Sequence, residues 1–468
     1  MVEKRKNPDD EASSPDRPNH GDAISSVESH PVEVAWATPS ADQEFQNLYS
    51  NPPDFKQLAL LDPDFAAHVK GRDLNFNDPA SVMQLTRTLL KLDFDLRIDL
   101  PDDRLCPPVG DIMDHYRSDS DRRLTLGSKV ANRHNYILWL KALLDTSSYE
   151  PPGHIDEKSL EYARNNVKLN GLDGRIRVVS RTPDDTLIPL DDLGIDSIDF
   201  CMTNPPFYES EEEMLHSARQ KSRPPSTACT GDKVEMVTAG GEVGFVERIL
   251  AESLVLRGRV QWYTSMLGFL SSATCLLERL REHGVDNCAV TEFVQGSRTR
   301  RWAVAWSFKG MRPAQWVARG TGSIKARGLL PLTSEAEVVA LRLPEKVGKF
   351  AEDFRGAVGE LDLMSWEWDG QKLEGVGRAV GNVWNRAWRR RKARQAEPPS
   401  EEAGDKQGPE STGFGFKVWV RVRKDEMSVG CRWLEGHDGA VFESFQGFLK
   451  STALALGPGK KPRPERGR

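Results

Sequence analysis

Ile198-Asp199-Phe200-Cys201-Met202 runs through Thr203 straight into Asn204-Pro205-Pro206-Phe207. The first part reads as a mostly apolar strand, and the prolines that follow cannot donate to a ladder, so the strand has to stop there. Outward from this point, helical and strand periodicities alternate between residues 157 and 308. A helix through Leu160, Ala163 and Val167 precedes a strand at Ile176 to Val179, and a helix around Phe245, Ile249 and Leu250 leads to a strand at Val260 to Met266. After a helix at Leu276 to Leu280, two strands, Cys288 to Phe293 and Trp302 to Phe308, flank a polar turn containing Gly296. The order predicts an α/β fold, a doubly wound Rossmann-like sheet that ends in an antiparallel pair.

In such sheets ligands bind beyond the carboxyl ends of the strands, which is where the Asn-Pro-Pro-Phe string falls. Its residue types suit one chemistry. An exocyclic amino group is a poor nucleophile because its lone pair is delocalised into the ring. The Asn204 side-chain oxygen and the Pro205 carbonyl can accept both amine hydrogens and favour a pyramidal nitrogen. Pro205 and Pro206 stiffen the loop, and Phe207 offers a flat face for an extruded base. The string points to a methyltransferase acting on a planar amine, with Asn204, Pro205, Pro206 and Phe207 as its catalytic residues. Adenine N6, guanine N2 and a glutamine amide all remain open as targets on this ground alone.

With 468 residues and 38% hydrophobic content, the chain is long enough for one large domain and a smaller one. A net charge of -6 excludes a general polycation, so nucleic-acid affinity has to come from local basic patches. The 6 cysteines form no CxxC pair and have no histidines at ligand spacing, which argues against a zinc site and against a disulfide scaffold. No long apolar run or secretory signal is legible, and a soluble intracellular protein is expected. Residues 1–44, rich in Pro, Ser, Asp and Glu, read as a disordered tail whose Lys4-Arg5-Lys6 could serve nuclear import. Asp78-Pro79 is a helix start, followed by Val82, Leu85, Leu89 and Leu92 at helical spacing. Beyond residue 310 the pattern weakens into a connecting region, 311–395. A Pro- and Glu-rich linker at 396–412, a small α+β module at 413–456 and a basic tail at 457–468 follow.

Segments on both sides of the loop carry a family resemblance. Pro52-Pro53-Asp54-Phe55, Leu74-Asn75-Phe76-Asn77-Asp78-Pro79 and Arg133-His134-Asn135-Tyr136 with Trp139 precede it. Arg223-Pro224-Pro225, Ala239-Gly240-Gly241-Glu242, Trp262-Tyr263, Thr291-Glu292-Phe293 and Arg301-Trp302-Ala303 follow it. Together, over roughly residues 50 to 310 (the domain taken as 45–310), they resemble the U6 small nuclear RNA adenine-N6 methyltransferase family, the methyltransferase-like protein 16 type. The resemblance implies a nuclear enzyme that uses S-adenosylmethionine to methylate an adenine of structured RNA, with U6 small nuclear RNA as its partner and no metal or membrane. It places Arg133, Thr186 and Asn204 around the cofactor, and gives the loop bearing Arg298, Arg300 and Arg301 to RNA.

One family feature is missing. Members of this type follow the Arg133 region with a strand, a glycine-rich loop, a helix and a second strand ending in an acidic residue. Here the chain passes from Leu143-Leu144 to His154-Ile155-Asp156-Glu157 without them. An imidazole at His154 cannot copy a carboxylate's double acceptance from ribose hydroxyls. This leaves a second expectation, an RNA-binding protein of the same family with impaired catalysis. Further on, Trp384 and Trp388 stand four residues apart among Arg386, Arg389, Arg390, Arg391 and Lys392. They predict one helix burying a tryptophan stripe and presenting a cationic face, with Arg389 and Arg390 in RNA contact.

Overall fold

The computed structural model describes residues 53–99 (except 72 and 77), 129–147, 166–220 (except 173, 175, 177, 178, 180, 181 and 183), 236–295, 299–390 (except 327 and 389) and 413–457. The expectations for residues 1–44, Gly296, Arg298, His154, Arg389, the linker 396–412 and the tail beyond 457 lie outside the described residues.

The amino-terminal extension is built on aspartate caps. Asp54 accepts from the backbone N–H groups of Lys56 and Gln57 at the start of α1 (Phe55–Leu61). Asp78 does the same for Ala80 and Ser81 ahead of Pro79, the first residue of α2 (Pro79–Phe94). Helix α2 buries Val82, Leu85 and Leu89 against Leu58, Phe65 and Phe76, whereas Leu92, in the last turn, is 36% exposed. Between these helices the buried Asp62 carboxylate accepts from Thr88 Oγ1 at 2.5 Å and pairs with Lys91 Nζ at 3.0 Å. Burial alone would raise its pKa, but these two partners bring it below the ordinary value.

The α/β part is a mixed five-stranded sheet. Its strands are β1 (Ile198–Thr203), β2 (Val260–Leu267), β3 (Cys288–Gln295), β4 (Thr299–Trp306) and β5 (Arg319–Gly320), in the order β1-β2-β4-β3-β5. β1 and β2 are parallel, β4 lies antiparallel to both β2 and β3, and β5 runs parallel to β3. The terminal antiparallel pair is therefore present, and its later strand is inserted beside β2. It starts at Thr299 rather than Trp302 because Arg300 and Arg301 pair with Val294 and Phe293. Among the described residues β1 has a partner on one side only.

Alternation within β4 explains why a sheet coated on both faces forms. Trp302, Val304 and Trp306 join the core beneath α4 (Gly241–Leu256) and α5 (Leu270–Glu282). Ala303 and Ala305 face the other way, where their small size admits Tyr136, Trp139 and Leu143 of α3 (Lys129–Thr146). The result is a continuous apolar run, the signature of a strand buried on both sides.

The chain then builds a second, fully antiparallel sheet. Its strands are β6 (Glu335–Arg342), β7 (Leu363–Asp369), β8 (Glu374–Ala379), β9 (Phe414–Val422) and β10 (Glu426–Glu435), in the order β6-β10-β9-β8-β7. Helices α6 (Val347–Gly359) and α7 (Gly439–Leu456) supply Phe350, Phe354, Phe442, Phe445 and Leu449 to its core. Three of the five strands thus come from the stretch that the sequence assigns to a connecting region. The tryptophan pair also differs from the single helical stripe. Trp384 precedes the helical turn, and Asn385 Oδ1 caps that turn by accepting from Trp388 N at 2.7 Å. Trp384 is buried among Phe414, Phe445 and Phe448, and half-buried Trp388 donates to Asp362 at 3.1 Å. Arg386 and Arg390 remain exposed.

Arg312 joins the two sheets. Its guanidinium is 4% exposed, stacks 3.9 Å from the Trp433 ring centroid, donates to Gly436 O at 2.8 Å and pairs with Asp286 at 2.8 Å. Arg432 donates to Thr146 O at 2.8 Å, so the end of α3 is held as well.

Candidate active site

Strand β1 delivers the Asn-Pro-Pro-Phe string to the carboxyl end of the parallel pair β1–β2. Asn204 is exposed there, Pro205 is buried, and Pro206 and Phe207 are half-buried. The end of the strand is fixed from the α3 side. Thr264 Oγ1 donates to Cys201 O at 2.7 Å and is itself 2.7 Å from the buried Tyr136 hydroxyl. Desolvation pushes the Tyr136 phenol far up, so this hydroxyl stays protonated. Arg133 lies one helical turn before Tyr136 in α3, and its side chain is outside the described residues.

After Phe207 the chain is clamped by the segment that starts α4. Tyr208 N donates to Met236 O and Thr238 N to Tyr208 O, each at 3.0 Å. Gly241 takes φ +60°, and a Cβ there would stand within 3.5–3.7 Å of the backbone of residues 207–209, so this glycine lets α4 begin directly beneath the loop. The next residue, Glu242, is 2% exposed. Its two carboxylate oxygens accept from Gly268 N at 2.7 Å and Phe269 N at 3.1 Å, which closes the turn after β2. Burial raises the pKa of Glu242 despite these donors.

That turn is the floor under Phe207. A Cβ on Gly268 would meet Phe207 Cδ1 at 2.8 Å and Glu242 Oε2 at 3.2 Å, so only glycine fits. From the other side the Arg301 guanidinium carbon lies 5.2 Å from the Phe207 ring centroid. The aromatic ring is thus held between a glycine turn and an arginine. Sequence reasoning gave Glu242 and Gly268 no role; the only signal was the Gly240-Gly241-Glu242 string opening a helix next to the catalytic loop.

The remaining candidates divide. Arg301 reaches Phe207, whereas Arg300 points to the opposite face of the sheet, where it pairs with Glu292. Thr186 lies in a segment held along α4, where Asp185 O accepts from Arg248 at 3.2 Å. The backbone N–H groups of Leu187 and Ile188 are held by Glu252, both at 2.9 Å. Glu252 lies ten residues along α4 from Glu242, about 15 Å at 1.5 Å per residue. Arg390 belongs to the second sheet's surroundings.

The loop can accept two hydrogens from a planar amine and stack its ring, an arrangement suited to amine methylation. The fit to S-adenosylmethionine is poorer. Among the described residues the glycines near the loop, 240, 241 and 268, lie against the backbone and ring of Phe207 or against α4 itself. The described residues build the acceptor for the amine and do not build a cradle for the cofactor. They also hold no cluster of three metal-ligating side chains, and no helix among them is long and apolar enough to cross a membrane.

The chain is similar to known proteins. A family model described as RNA methyltransferase matches residues 40–310. The U6 small nuclear RNA (adenine-(43)-N(6))-methyltransferase of Schizosaccharomyces pombe is 31% identical over 409 residues, covering 84% of this chain and 97% of that protein. The RNA N(6)-adenosine-methyltransferase METTL16 of Homo sapiens is 40% identical over 290 residues, 58% of this chain and 51% of that one, so the chain spans about half the length of that relative. Among solved structures, the hMettl16 catalytic domain in complex with MAT2A 3'UTR hairpin 1 shows 38% identity and a TM-score of 0.45, over 55% of this chain and 92% of the other. From the loop outward, over more than half of its length, this chain belongs to the RNA methyltransferase family.

Proposed function

We propose that the chain methylates N6 of an adenine in U6 small nuclear RNA, with S-adenosylmethionine as methyl donor. The observation that carries this reading is the exposed Asn204 amide at the end of β1, beside a Phe207 ring braced by Gly268 and Arg301. An adenine extruded from a structured RNA stacks on Phe207 while Asn204 Oδ1 and Pro205 O accept its two amine hydrogens. Stacking supports a base over a glutamine amide, and the substrates named for the fission-yeast and human relatives support adenine. Arg133 acts on the cofactor side, and Arg298 and Arg301 hold the RNA beside the loop. The module at 413–456, with Arg389 and Arg390, adds further RNA contact, and the site of action is the nucleus.

A second reading keeps the RNA and loses the turnover. Supporting it are the one-sided edge of β1 among the described residues and the missing glycine-rich segment between Leu144 and His154. One assay separates the two: the full chain, a U6 RNA fragment and S-adenosylmethionine up to millimolar concentration, with N6-methyladenosine read by mass spectrometry. Product that disappears in Asn204→Ala supports the enzyme. RNA binding without product at any cofactor concentration supports the second reading.

A further inference from the structure

The sheet face opposite Phe207 carries a cleft. It has a volume of about 590 Å³ and is lined by Arg300, Glu292, Gly320, Gly322, Ser323 and Lys325, with apolar walls from Leu270 and Val294. Four of these residues lie beyond 310, where the match to the family model ends.

Glu292 organises the cleft. Its side chain is 7% exposed, and both oxygens are occupied. One accepts from Arg300, and the other accepts from Thr321 Oγ1 at 2.7 Å and from the Ser323 hydroxyl. Ser323 N in turn donates to Thr321 Oγ1 at 3.1 Å, so the segment after β5 is tied down as a unit. β5 is pressed against β3 closely enough that a Cβ on Gly320 would stand 2.5 Å from Thr291 Oγ1. The donors from Ser323, Thr321 and Arg300 outweigh the upward push of burial and keep the Glu292 carboxyl below its usual range. The carboxylate is therefore ionised at neutral pH, but it is used up inside the wall. It matches the charge of Arg300 and leaves that guanidinium, half exposed and pointed by its partners, with directed N–H groups to spare. Exposed Lys325 supplies the net positive charge, and Gly322 has nothing within 4 Å of a Cβ position, so backbone can be approached closely there.

Successive residues of a strand point to opposite faces, so Arg301 reaches the catalytic ring and Arg300 reaches the cleft. The tip of β4 stands between the two sites, with neighbouring Cα atoms about 3.8 Å apart. We infer that the Arg300–Lys325 cleft binds a backbone phosphate of the RNA strand a few nucleotides away from the adenine held at Phe207. This rests on the proposed RNA function and extends it, because it assigns the strand a path across the edge of the sheet to residues outside the catalytic loop.

The test is the salt dependence of binding of the full chain to a fluorescein-labelled U6 hairpin, measured by anisotropy from 50 to 300 mM KCl. Lys325→Ala and Gly322→Asp change exposed positions with no packing to lose. Removing one phosphate contact lowers the magnitude of the slope of log K against log salt by about 0.7–0.9. Lys325→Ala is expected to show that change with a several-fold weaker Kd at low salt, and Gly322→Asp to weaken binding by repulsion. Competition by inorganic phosphate at equal ionic strength distinguishes a site for free anion from one that needs the RNA strand: no displacement of the hairpin up to tens of millimolar is expected. Displacement by phosphate in the parent and not in Lys325→Ala would also support the assignment, because free anion can compete with the strand there only by sharing the cleft. Unchanged slope and affinity in both variants would overturn the RNA assignment of the cleft, while leaving the functional reading intact. A parent chain that does not bind the hairpin at all would overturn the functional reading itself.

Discussion

The Arg301 guanidinium sits over the Phe207 ring, 5.2 Å from its centroid, and so couples the start of β4 to the Asn204–Phe207 loop. A cation over an aromatic face contributes about 0.5–2 kcal/mol, depending on exposure. Arg301→Met keeps the alkyl stem and removes the charge. It is expected to lower kcat about 2- to 30-fold through loss of that energy, with the thermal midpoint within a degree or two of the parent. Single-turnover methylation of a U6 fragment checks the rate. An unchanged rate with weakened RNA affinity would mean that Arg301 serves only the phosphate backbone.

Glu242 has a pH signature whose sign follows from its burial. Its pKa in the folded chain is above the ordinary 4.5. Just above pH 4.5 the folded chain therefore holds a proton that the unfolded chain releases, and stability falls as pH rises from 4.5 through the folded value. Glu242→Gln removes this slope. It also turns an N–H₂ group toward one of the two backbone donors at 268 and 269, at a cost of about 1–3 kcal/mol for the donor left unmatched. Urea unfolding of both proteins between pH 4.5 and 8 should show a component that falls with rising pH in the parent and is absent from the variant. Because the Gly268 turn supports Phe207, kcat should fall in the variant more than the affinity for RNA does.

Local chemistry was readable where it decided the structure by itself. Asp78-Pro79 starts α2 because an aspartate can accept from two free N–H groups and a proline needs none. The strand before Asn204 ends where two prolines make pairing impossible. The second sheet was harder, and Gly375 and Gly377 show why. Glycines weaken a strand pattern, yet in β8 they are required. A Cβ on Gly375 would lie 2.3 Å from the Trp366 ring, and one on Gly377 would lie 2.6 Å from the Phe416 ring. The reason is tertiary and comes from neighbouring strands, one of them about 40 residues away in sequence, across the linker. Trp384 and Trp388 misled in the opposite direction. Their spacing is helical, but Asn385 between them caps the turn, which no periodicity count weighs. Glu292 and Lys325 line one cleft because β5 pairs with β3, a two-residue contact too short to leave a pattern.

At the junction of the two sheets, Asp286 faces Arg312 at 2.8 Å and His437 at 3.8 Å. Burial would raise its pKa, but these two partners, His437 and the Arg312 guanidinium beside it, hold it below the ordinary value. Its contribution to stability is complete above the unfolded carboxylate value and is lost as pH falls through the folded one, so the junction should weaken below about pH 4. Arg312→Met removes the charged hydrogen bonds to Asp286 and Gly436, at a cost of about 1.5–3 kcal/mol. The expected result at pH 7 is a lower unfolding midpoint, with tryptophan fluorescence and far-UV circular dichroism no longer following one transition, since both sheets carry buried tryptophans. In the parent the two probes should coincide. Coincident transitions in Arg312→Met would show that the remaining contacts, such as Arg432 to Thr146 O, suffice to keep the sheets cooperative.

Cofactor affinity is the property on which the two functional readings part. The proposed amine acceptors are Asn204 and Pro205 with Phe207 beside them, whereas the sequence has His154 where the family resemblance implies an acidic ribose ligand. Losing a charge-assisted pair of hydrogen bonds to the ribose costs about 1.5–3 kcal/mol, a factor of about 10–150 in affinity. Calorimetric titration of the full chain with S-adenosylmethionine is therefore expected to show no micromolar binding. Turnover, if measured at millimolar cofactor, should keep its dependence on Asn204, with the KM for cofactor raised and the KM for RNA unaffected, because the RNA contacts come from different residues. Micromolar binding would mean that other side chains complete the cradle, and Asp156→Asn is the first variant that should then abolish it.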